Sequence, residues 1–217
     1  MAFTLQPLEA KDVPTCVAIY FASFQNAHSL ACWPRNNAAV REWWENMILT
    51  ELDEPGSQWL KAVDTGTGVE SEKGQVVGFC KWRFFRIGEE VGTELPSWPE
   101  GSDEQLCERT FGAWAERHPV LMGSRRRGHW YLEILATDPK YQGRGAGSQM
   151  MRFGLEQADK HGMEAYLEAS PDAVRLYERF GFREAGRTDT WIENERVRPG
   201  VWYRNLFMIR PVMGGGS

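Results

Sequence analysis

The 217-residue sequence predicts an α/β fold, in which a mixed sheet is flanked by helices. Segments rich in aromatic and β-branched residues, typical of strands, alternate along the chain with helical patterns. One such strand is followed by a glycine-rich run over residues 143–147 and then by a helical pattern. The chain is 42% hydrophobic and 25% charged, which is ordinary for a globular protein. We therefore expect a single domain over residues 1–213.

The amino-terminal half alternates between strands and helices. Residues 3–8 are predicted to form a first strand, and Asp12 is placed to cap a first helix. A second helical pattern runs from about residue 37 to residue 49. Residues 59–63 and 75–82 are predicted to form a pair of strands that a turn-rich stretch joins.

The glycine-rich run has the properties of an anion-binding loop. Residues 130–136 are predicted to form the strand before it, and an apolar helical face after it ends near residue 161. Glycines let the backbone turn tightly, and the first N–H groups of a helix lack partners within that helix. Residues 142–148 are therefore predicted to bind a phosphate group.

The run also has three other interpretations. A Walker loop needs lysine after its last glycine, and here Ser148 follows Gly147. A dinucleotide fingerprint needs the spacing Gly-x-Gly-x-x-Gly, which this run lacks. The simplest interpretation is a turn that only joins a strand to a helix.

A second strand and a short helix follow. Residues 165–169 are predicted to form the strand. Ser170 is a natural N-cap, Pro171 suits the first helical position, and Gly181 suits the end of the helix.

Two patterns in this order carry a family resemblance. They are Gln142-x-x-Gly145-x-Gly147 after a strand and, about thirty residues on, Ala173-x-x-x-Tyr177-x-x-x-Gly181-Phe182. Together they resemble the GNAT superfamily of N-acetyltransferases. The resemblance implies a mixed, mostly antiparallel central sheet flanked by helices, with two parallel strands that splay apart where acetyl-CoA binds.

The resemblance also implies how acetyl-CoA is held, with no metal. The glycine loop would bind the pyrophosphate through backbone N–H groups, and the strand before it would pair with the pantetheine arm. Many relatives carry Asn at the position of Ser170, whose hydroxyl can partly replace an amide. The predicted cofactor-binding residues are Leu135, Ala136, Thr137, Gln142, Gly143, Arg144, Gly145, Ala146, Gly147, Ser148 and Ser170.

Acetyl transfer to an amine needs a neutral amine, a stabilised oxyanion and a proton for the departing thiolate. By the resemblance, Tyr177 is the predicted general acid. The backbone N–H of Ala136, or of a neighbour where the strand splays, is the predicted oxyanion donor.

Two glutamates compete for the role of general base. Glu133 is favoured, because in a regular strand it shares a face with Tyr131 and Leu135, close to the segment expected to meet the thioester. Glu168 on the neighbouring strand is the alternative. A glutamate on a strand is more often a solvated carboxylate or an ion-pair partner than a base.

Residues 85–127 form an insertion between two strands that a short hairpin could join. Ser102 and Gln105 predict a capped helix that extends to Arg117. The insertion either decorates the outside of the sheet or shapes the acceptor pocket, with Trp98 as an apolar wall.

The predicted function is transfer of acetyl from acetyl-CoA to the primary amine of a small molecule by direct attack. A protein or peptide N-acetyltransferase and a non-catalytic CoA-binding sensor are the alternatives. Fold does not fix the acceptor. The acyl-chain length and the oligomeric state, including a homodimer, stay open.

Composition disfavours other classes of protein. A net charge of −5, with only a short basic cluster at residues 125–127, gives no support for nucleic-acid binding. No apolar run approaches the roughly 18 residues of a membrane span, and no signal segment is present, so we expect a cytoplasmic location without a membrane partner. Residues 214–217 are interpreted as a linker or an engineered scar.

The cysteines are spaced too widely for a metal or disulfide framework. Cys16, Cys32, Cys80 and Cys107 form no Cys-x-x-Cys pair and do not cluster with histidines in the sequence. We therefore expect neither a zinc site nor a set of disulfides.

Overall fold

The structure of the protein is a computed structural model that describes residues 3–66, 74–123 and 128–213. The basic cluster at 125–127, the segment 214–217 and most of the turn after the second strand lie outside these residues. Within them, seven strands form one sheet: β1 (Phe3–Pro7), β2 (Ser57–Asp64), β3 (Val76–Phe85), β4 (His129–Thr137), β5 (Glu164–Ala169), β6 (Arg183–Asn194) and β7 (Val197–Arg210).

Six α-helices accompany these strands in the described part of the chain: α1 (Val13–Ser23), α2 (Ala27–Cys32), α3 (Ala38–Glu51), α4 (Glu104–His118), α5 (Ala146–Lys160) and α6 (Val174–Arg179). None of the helices found there is long and apolar enough to cross a bilayer.

The strand order is β1-β2-β3-β4-β5-β7-β6. Every neighbouring pair is antiparallel except β4 and β5, which run parallel. The predicted fold class, a mixed and mostly antiparallel sheet flanked by helices, is confirmed.

Each face of the sheet carries its own core. Met150, Met151 and Leu155 of α5 pack on one face, against Trp82 and other buried residues of the central strands. Residues of α1, α2, α3 and α4 cover the other face in a second cluster, which is rich in tryptophan. The central strands are therefore buried on both sides, as expected of a three-layer α/β protein.

Two helix starts differ from the prediction. The helix expected from Pro171 begins at Val174, because the Ala173 N–H bonds to the Ser170 carbonyl at 3.0 Å and closes a turn first. The cap of the insertion helix is Asp103 rather than Ser102, since the Asp103 carboxylate accepts from the Leu106 N–H at 3.1 Å.

Asp12 precedes α1 as predicted, but its side chain does not cap the helix. The carboxylate instead accepts from the Glu9 N–H at 2.9 Å and lies 2.6 Å from Lys61 Nζ, so it is used in a buried ion pair. Helix α2 was not predicted, because six residues are too few for a helical period to be recognised. The long strands β6 and β7 were also not assigned from the sequence.

Gly154 sets how closely α5 can approach the sheet. A Cβ atom at this position would overlap the ring of Trp82, which is fully buried and donates its Nε1–H to the Met150 carbonyl at 3.2 Å. Only glycine allows this contact.

We expect Gly154→Ala to lower the free energy of unfolding by about 1–2 kcal/mol. Overpacking a core costs about 1–3 kcal/mol, and overlap with a fully buried indole ring belongs in the upper part of that range. The better helix propensity of alanine returns about 1 kcal/mol. Gly112→Ala in α4 is the matched control, because its Cβ would lie at an ordinary 3.5 Å from Leu95. Urea denaturation measures both variants, and equal stability of the two would contradict the close packing of α5.

Candidate active site

A wedge opens between β4 and β5. Their parallel pairing runs from His129 and Glu164 to Leu132 and Leu167, and it stops there. Beyond that point β4 continues its pairing with β3, while β5 stays paired with β7. Residues 133–137 of β4 therefore present an edge that β5 does not fill. This is the arrangement expected from the splayed parallel strands.

A β-bulge lies at the start of the wedge. On β3, Lys81 pairs with Ile134 while the next residue, Trp82, pairs with Leu132, so Glu133 is the extra residue. The bulge breaks the expected alternation of side chains. Leu135 consequently packs on the α5 side of the sheet, and Ile134 packs on the other side. The expectation that Glu133 shares a face with Leu135 is wrong for this reason.

The backbone N–H groups along this edge alternate in direction. The Asp138 N–H donates to the Val77 carbonyl of β3 at 2.9 Å, so the N–H of Ala136, two residues earlier, also points toward β3. The N–H groups of Leu135 and Thr137 then point into the wedge. Of the donors considered from the sequence, these neighbours of Ala136 are the ones that the ladder leaves available.

The glycine loop ends at the amino terminus of α5, beside the wedge. Gly143 and Gly145 have φ values of +74° and +99°, which only glycine adopts without strain. No side chain caps the helix, and its first turn, beginning at Ala146, holds no acidic residue. The first N–H groups of α5, together with the helix dipole, therefore favour an anion. A diphosphate fits this site.

Contacts hold the loop against the end of β4. The Gln142 side chain donates to the Thr137 carbonyl at 3.1 Å. The Arg144 guanidinium lies over the ring of Tyr141, 5.1 Å from its centroid. A Cβ on Gly147 would lie 3.5 Å from Thr137 Oγ1, so the first turn of α5 abuts the strand. The predicted residues from Leu135 to Ser148 thus lie together, around one edge of the sheet.

Glu133 is held in an ion pair. Its carboxylate lies 2.5 Å from Lys81 Nζ, and Lys81 is only 2% exposed in its side chain. Glu51, at 2.9 Å, is a second partner of the same ammonium. Burial raises the pKa of Glu133, and the charge of Lys81 opposes that rise. A carboxylate engaged in this way is poorly suited to accept another proton.

Glu168 is in a different environment. It is the first residue of β5 beyond the last pair with β4, and Tyr131 donates its hydroxyl to Glu168 at 2.7 Å. Burial raises the pKa of Glu168 to about 7, against the lowering effect of the hydroxyls of Tyr131 and Tyr166. The nearby charge of Glu133 adds to the rise. Near neutral pH, this carboxylate both accepts and releases a proton.

Tyr177 lies within electrostatic range of Glu168. It is buried on α6 and packs edge-on against Phe182, with 6.0 Å between ring centroids. Burial raises the pKa of the Tyr177 phenol, and the negative charge of Glu168 raises it further. The hydroxyl therefore keeps its proton across the physiological range. Ser170 lies just past the end of β5, half-buried, at the start of the turn that leads to α6.

The insertion contributes α4, which connects α2 to the strands at the far edge of the sheet. His28 Nε2 of α2 lies 2.8 Å from Thr110 Oγ1 of α4. At the start of the same helix, Asp103 accepts from the Asn194 side chain of β6 at 2.8 Å. These partners are far apart in the sequence and could not have been found by pattern.

The turn between β6 and β7 is fixed to α2 as well. The carbonyl of Ala31 accepts from Asn194 Nδ2 at 3.1 Å and from Arg196 Nη2 at 2.9 Å. The insertion, α2 and the last hairpin thus form one wall on the face of the sheet opposite α5.

Trp98 anchors the insertion to this wall. Its ring lies 5.3 Å from Phe111, 5.9 Å from Trp33 and 6.0 Å from Trp43, measured between ring centroids. Trp43 also donates its indole N–H to the Ser97 carbonyl at 2.9 Å. The structure places Trp98 in an aromatic cluster, where its contacts are to other rings of the protein.

Comparison with known proteins identifies the family. The model of the family described as "Acetyltransferase (GNAT) family" matches residues 24–182, which include the wedge, the glycine loop and Tyr177. The chain therefore belongs to the GNAT acetyltransferase family.

Individual relatives match the chain only in part or at low identity. An acetyltransferase of Agrobacterium fabrum is 34% identical over 83 residues, which are 34% of this chain and 61% of that protein. This chain thus matches less than two thirds of the length of that relative.

Two solved structures share the fold. One, from Corynebacterium glutamicum and named a histone acetyltransferase and related acetyltransferase, has a TM-score of 0.60 at 22% identity and covers 100% of both chains. Arylalkylamine N-acetyltransferase 2 of Aedes aegypti has a TM-score of 0.67 at 13% identity, covering 98% of this chain and 100% of that one.

Proposed function

We propose that this protein is an acetyl-CoA-dependent N-acetyltransferase that acts on the primary amine of a small molecule, with residues 1–213 as one catalytic domain. The observation that carries the proposal is the meeting of three groups at the wedge. These are an anion site at the glycine loop, a carboxylate with a pKa of about 7 and a tyrosine that stays protonated. In direct transfer they would hold the cofactor, deprotonate the amine and protonate the thiolate, in that order.

The residues present fit acetyl-CoA. The N–H groups at the start of α5 suit its pyrophosphate, and the free edge at residues 133–137 suits an amide-containing arm that pairs like a strand. The loop glycines at positive φ leave open space, so the backbone can approach the ligand closely.

Glu168 is the general base in this proposal. An amine acceptor arrives mostly as an ammonium ion, and a base with a pKa near the working pH is the most effective in removing its proton. Glu168 has that pKa, whereas Glu133 is paired with Lys81. Glu133 then acts on the reaction through its charge, which helps to keep the proton affinity of Glu168 high.

The remaining steps use backbone and tyrosine. The neutral amine attacks the thioester carbonyl, and an N–H of Leu135 or Thr137 stabilises the oxyanion that forms. As the intermediate collapses, the C–S bond breaks and the Tyr177 hydroxyl gives its proton to the thiolate. The proton that the new amide nitrogen loses returns to the Tyr177 oxygen. The products are an amide and free CoA.

The wall formed by the insertion favours a small acceptor. A protein substrate would need an open groove on the face opposite α5, and there α4 joins α2 to β6 through the hydrogen bonds of His28 and Asp103. The names of the structures with similar fold do not distinguish a protein acceptor from a small one, since one names a histone and the other an arylalkylamine. The proposal of a small acceptor therefore rests on the wall that the insertion forms with α2 and β6.

The experiment that tests this function is an acceptor screen with release of the CoA thiol as the readout. The panel contains aliphatic amines, arylalkylamines, and peptides with a free amino terminus or lysine. We expect turnover with small amines. Turnover with peptides alone would overturn the acceptor class, and tight acetyl-CoA binding without any turnover would favour a CoA-binding sensor.

We expect Gly145→Val to weaken acetyl-CoA binding by at least about tenfold, because loss of a hydrogen bond to a charged group costs about 1.5–3 kcal/mol. The variant strains the backbone at φ +99° and places a branched side chain at the anion site. Gly88→Val is the matched control, since Gly88 has φ +79°, equally open surroundings and an exposed position outside the site. Calorimetry measures both, and unchanged affinity in Gly145→Val would mean that the pyrophosphate binds elsewhere.

Tyr177→Phe should leave acetyl-CoA affinity nearly unchanged and lower kcat by about 10²-fold, the usual contribution of a general acid. Only a hydroxyl is removed, so packing against Phe182 is kept. The measurement is steady-state turnover under conditions where chemistry limits the rate. A kcat equal to that of the parent would make Tyr177 a packing residue.

Glu168→Gln should lower kcat/KM by about 10²-fold or more and remove the acid limb of its pH profile. That limb is expected with a midpoint near pH 7, because Glu168 must be ionised to accept a proton and activity rises as pH passes its pKa. Glu133→Gln is the paired variant. It should keep the limb and move its midpoint downward, since the Glu133 charge raises the pKa of Glu168. If Glu133→Gln abolishes the limb instead, the two roles are reversed.

A further inference from the structure

The last residue of α4 lies between two tyrosines that surround Glu168. His118 is buried, and its ring stacks on Tyr166, with 4.4 Å between centroids and an angle of 12°. The Tyr131 ring is a second neighbour, at 4.5 Å between centroids. Tyr131 is the residue that donates its hydroxyl to Glu168 at 2.7 Å. The insertion therefore reaches the immediate surroundings of the carboxylate.

A second histidine fixes the position of His118. Nε2 of His118 lies 2.8 Å from Nε2 of His129, the first residue of β4. The His129 ring stacks in turn on Phe85 of β3, with 4.8 Å between centroids and an angle of 9°. Burial and the neighbouring His129 lower the pKa of His118 to about 3, so the ring is neutral at physiological pH. A neutral ring acts here by contact and hydrogen bonding.

We propose that Tyr131 is a positioning residue for the general base, and that His118 of the insertion holds the Tyr131 hydroxyl on the Glu168 carboxylate. This inference rests on the proposed function, in which Glu168 accepts the proton of the amine. It gives the insertion a second role. Besides closing the acceptor side, residues 85–127 set the proton affinity of the base.

The groups that interact with Glu168 come from three elements, and a fourth element acts on one of these groups. Tyr131 and Glu133 belong to β4, Tyr166 to β5 and Tyr177 to α6, while Arg117 of α4 acts on Tyr166. Behind Glu133 lie the cations Lys81 and Arg83. Of this set, Tyr131 has the direct short hydrogen bond to the carboxylate. A hydroxyl that donates to the ionised form lowers the pKa of the acid, so its removal raises that pKa.

The expected shift in the pKa of Glu168 follows from the strength of its hydrogen bond with Tyr131. A bond from a neutral donor to a charged acceptor corresponds to a shift of about one pH unit or more. In Tyr131→Phe the acid limb of kcat/KM should therefore move upward by about one unit. Activity should fall about tenfold at pH below the limb and stay close to that of the parent above pH 9. A change in packing alone would lower activity by the same factor at every pH.

The experiment compares pH profiles of kcat/KM for the parent, Tyr131→Phe, His118→Ala and the double variant. We expect His118→Ala to shift the limb upward, by less than Tyr131→Phe. The double variant should match Tyr131→Phe, because His118 acts through the Tyr131 hydroxyl. His118→Phe, which keeps a flat ring between the tyrosines, should return the midpoint most of the way to that of the parent. His118→Leu, which fills the space without a flat ring, replaces the alanine variant if that one does not fold. His161→Gln, an exposed histidine at the end of α5, is the control.

Two results would overturn the inference. A Tyr131→Phe midpoint equal to that of the parent removes Tyr131 from the role, and shifts that add in the double variant show that His118 acts by another route. Nuclear magnetic resonance titration of ¹³C-labelled glutamate side chains, with the Glu168 signal assigned by its loss in Glu168→Gln, gives the same midpoints without turnover. The inference is thus tested separately from the proposed function, which fails if no small amine is acetylated.

Discussion

The site depends on the point where β4 and β5 stop pairing. Each strand keeps its other neighbour past that point, β4 with β3 through Thr137 and β5 with β7 through Ala169. The two strands can therefore diverge while only their facing edges lose backbone partners. The bulge at Glu133 adds local bending to β4 at the same place. A cleft with unpaired N–H groups follows from the sheet itself, without any loop to form it.

The packing of α5 then determines where the anion site lies. The chain leaves β4 at the sheet edge, turns through Gly143 and Gly145, and enters a helix whose distance from the sheet is set by the contact of Gly154 with Trp82. That contact holds the axis of α5 against the central strands, so its amino terminus lies at the mouth of the wedge. In the proposed function, one rigid helix would thereby link the site for the phosphates to the free strand edge that suits the pantetheine arm.

Local sequence patterns predicted much of the fold around the candidate site. The strand before the glycine loop, the loop and α5 each have a strong local signal, and the family resemblance added Tyr177. The choice between Glu133 and Glu168 could not be predicted, because it depends on Lys81 from another strand and on a bulge that no residue type announces. The late strands were missed for a related reason. Both faces of β6 are largely exposed, so its sequence lacks the alternation that reveals a strand.

The surroundings of Glu133 and Glu168, two carboxylates near the start of the wedge, favour different roles for them. Glu133 lies against the Lys81 ammonium, which favours its charged form, whereas no such cation is among the groups that act on Glu168, whose charge is stabilised by the Tyr131 and Tyr166 hydroxyls and a backbone hydrogen bond. The fixed charge raises the proton affinity of the second carboxylate, and the Tyr131 hydroxyl limits that rise. Since Tyr131 packs against His118, the final balance is set by the insertion. In the proposed mechanism, an insertion that closes the acceptor side also adjusts the pH at which Glu168 accepts a proton, so acceptor selectivity and pH dependence would change together.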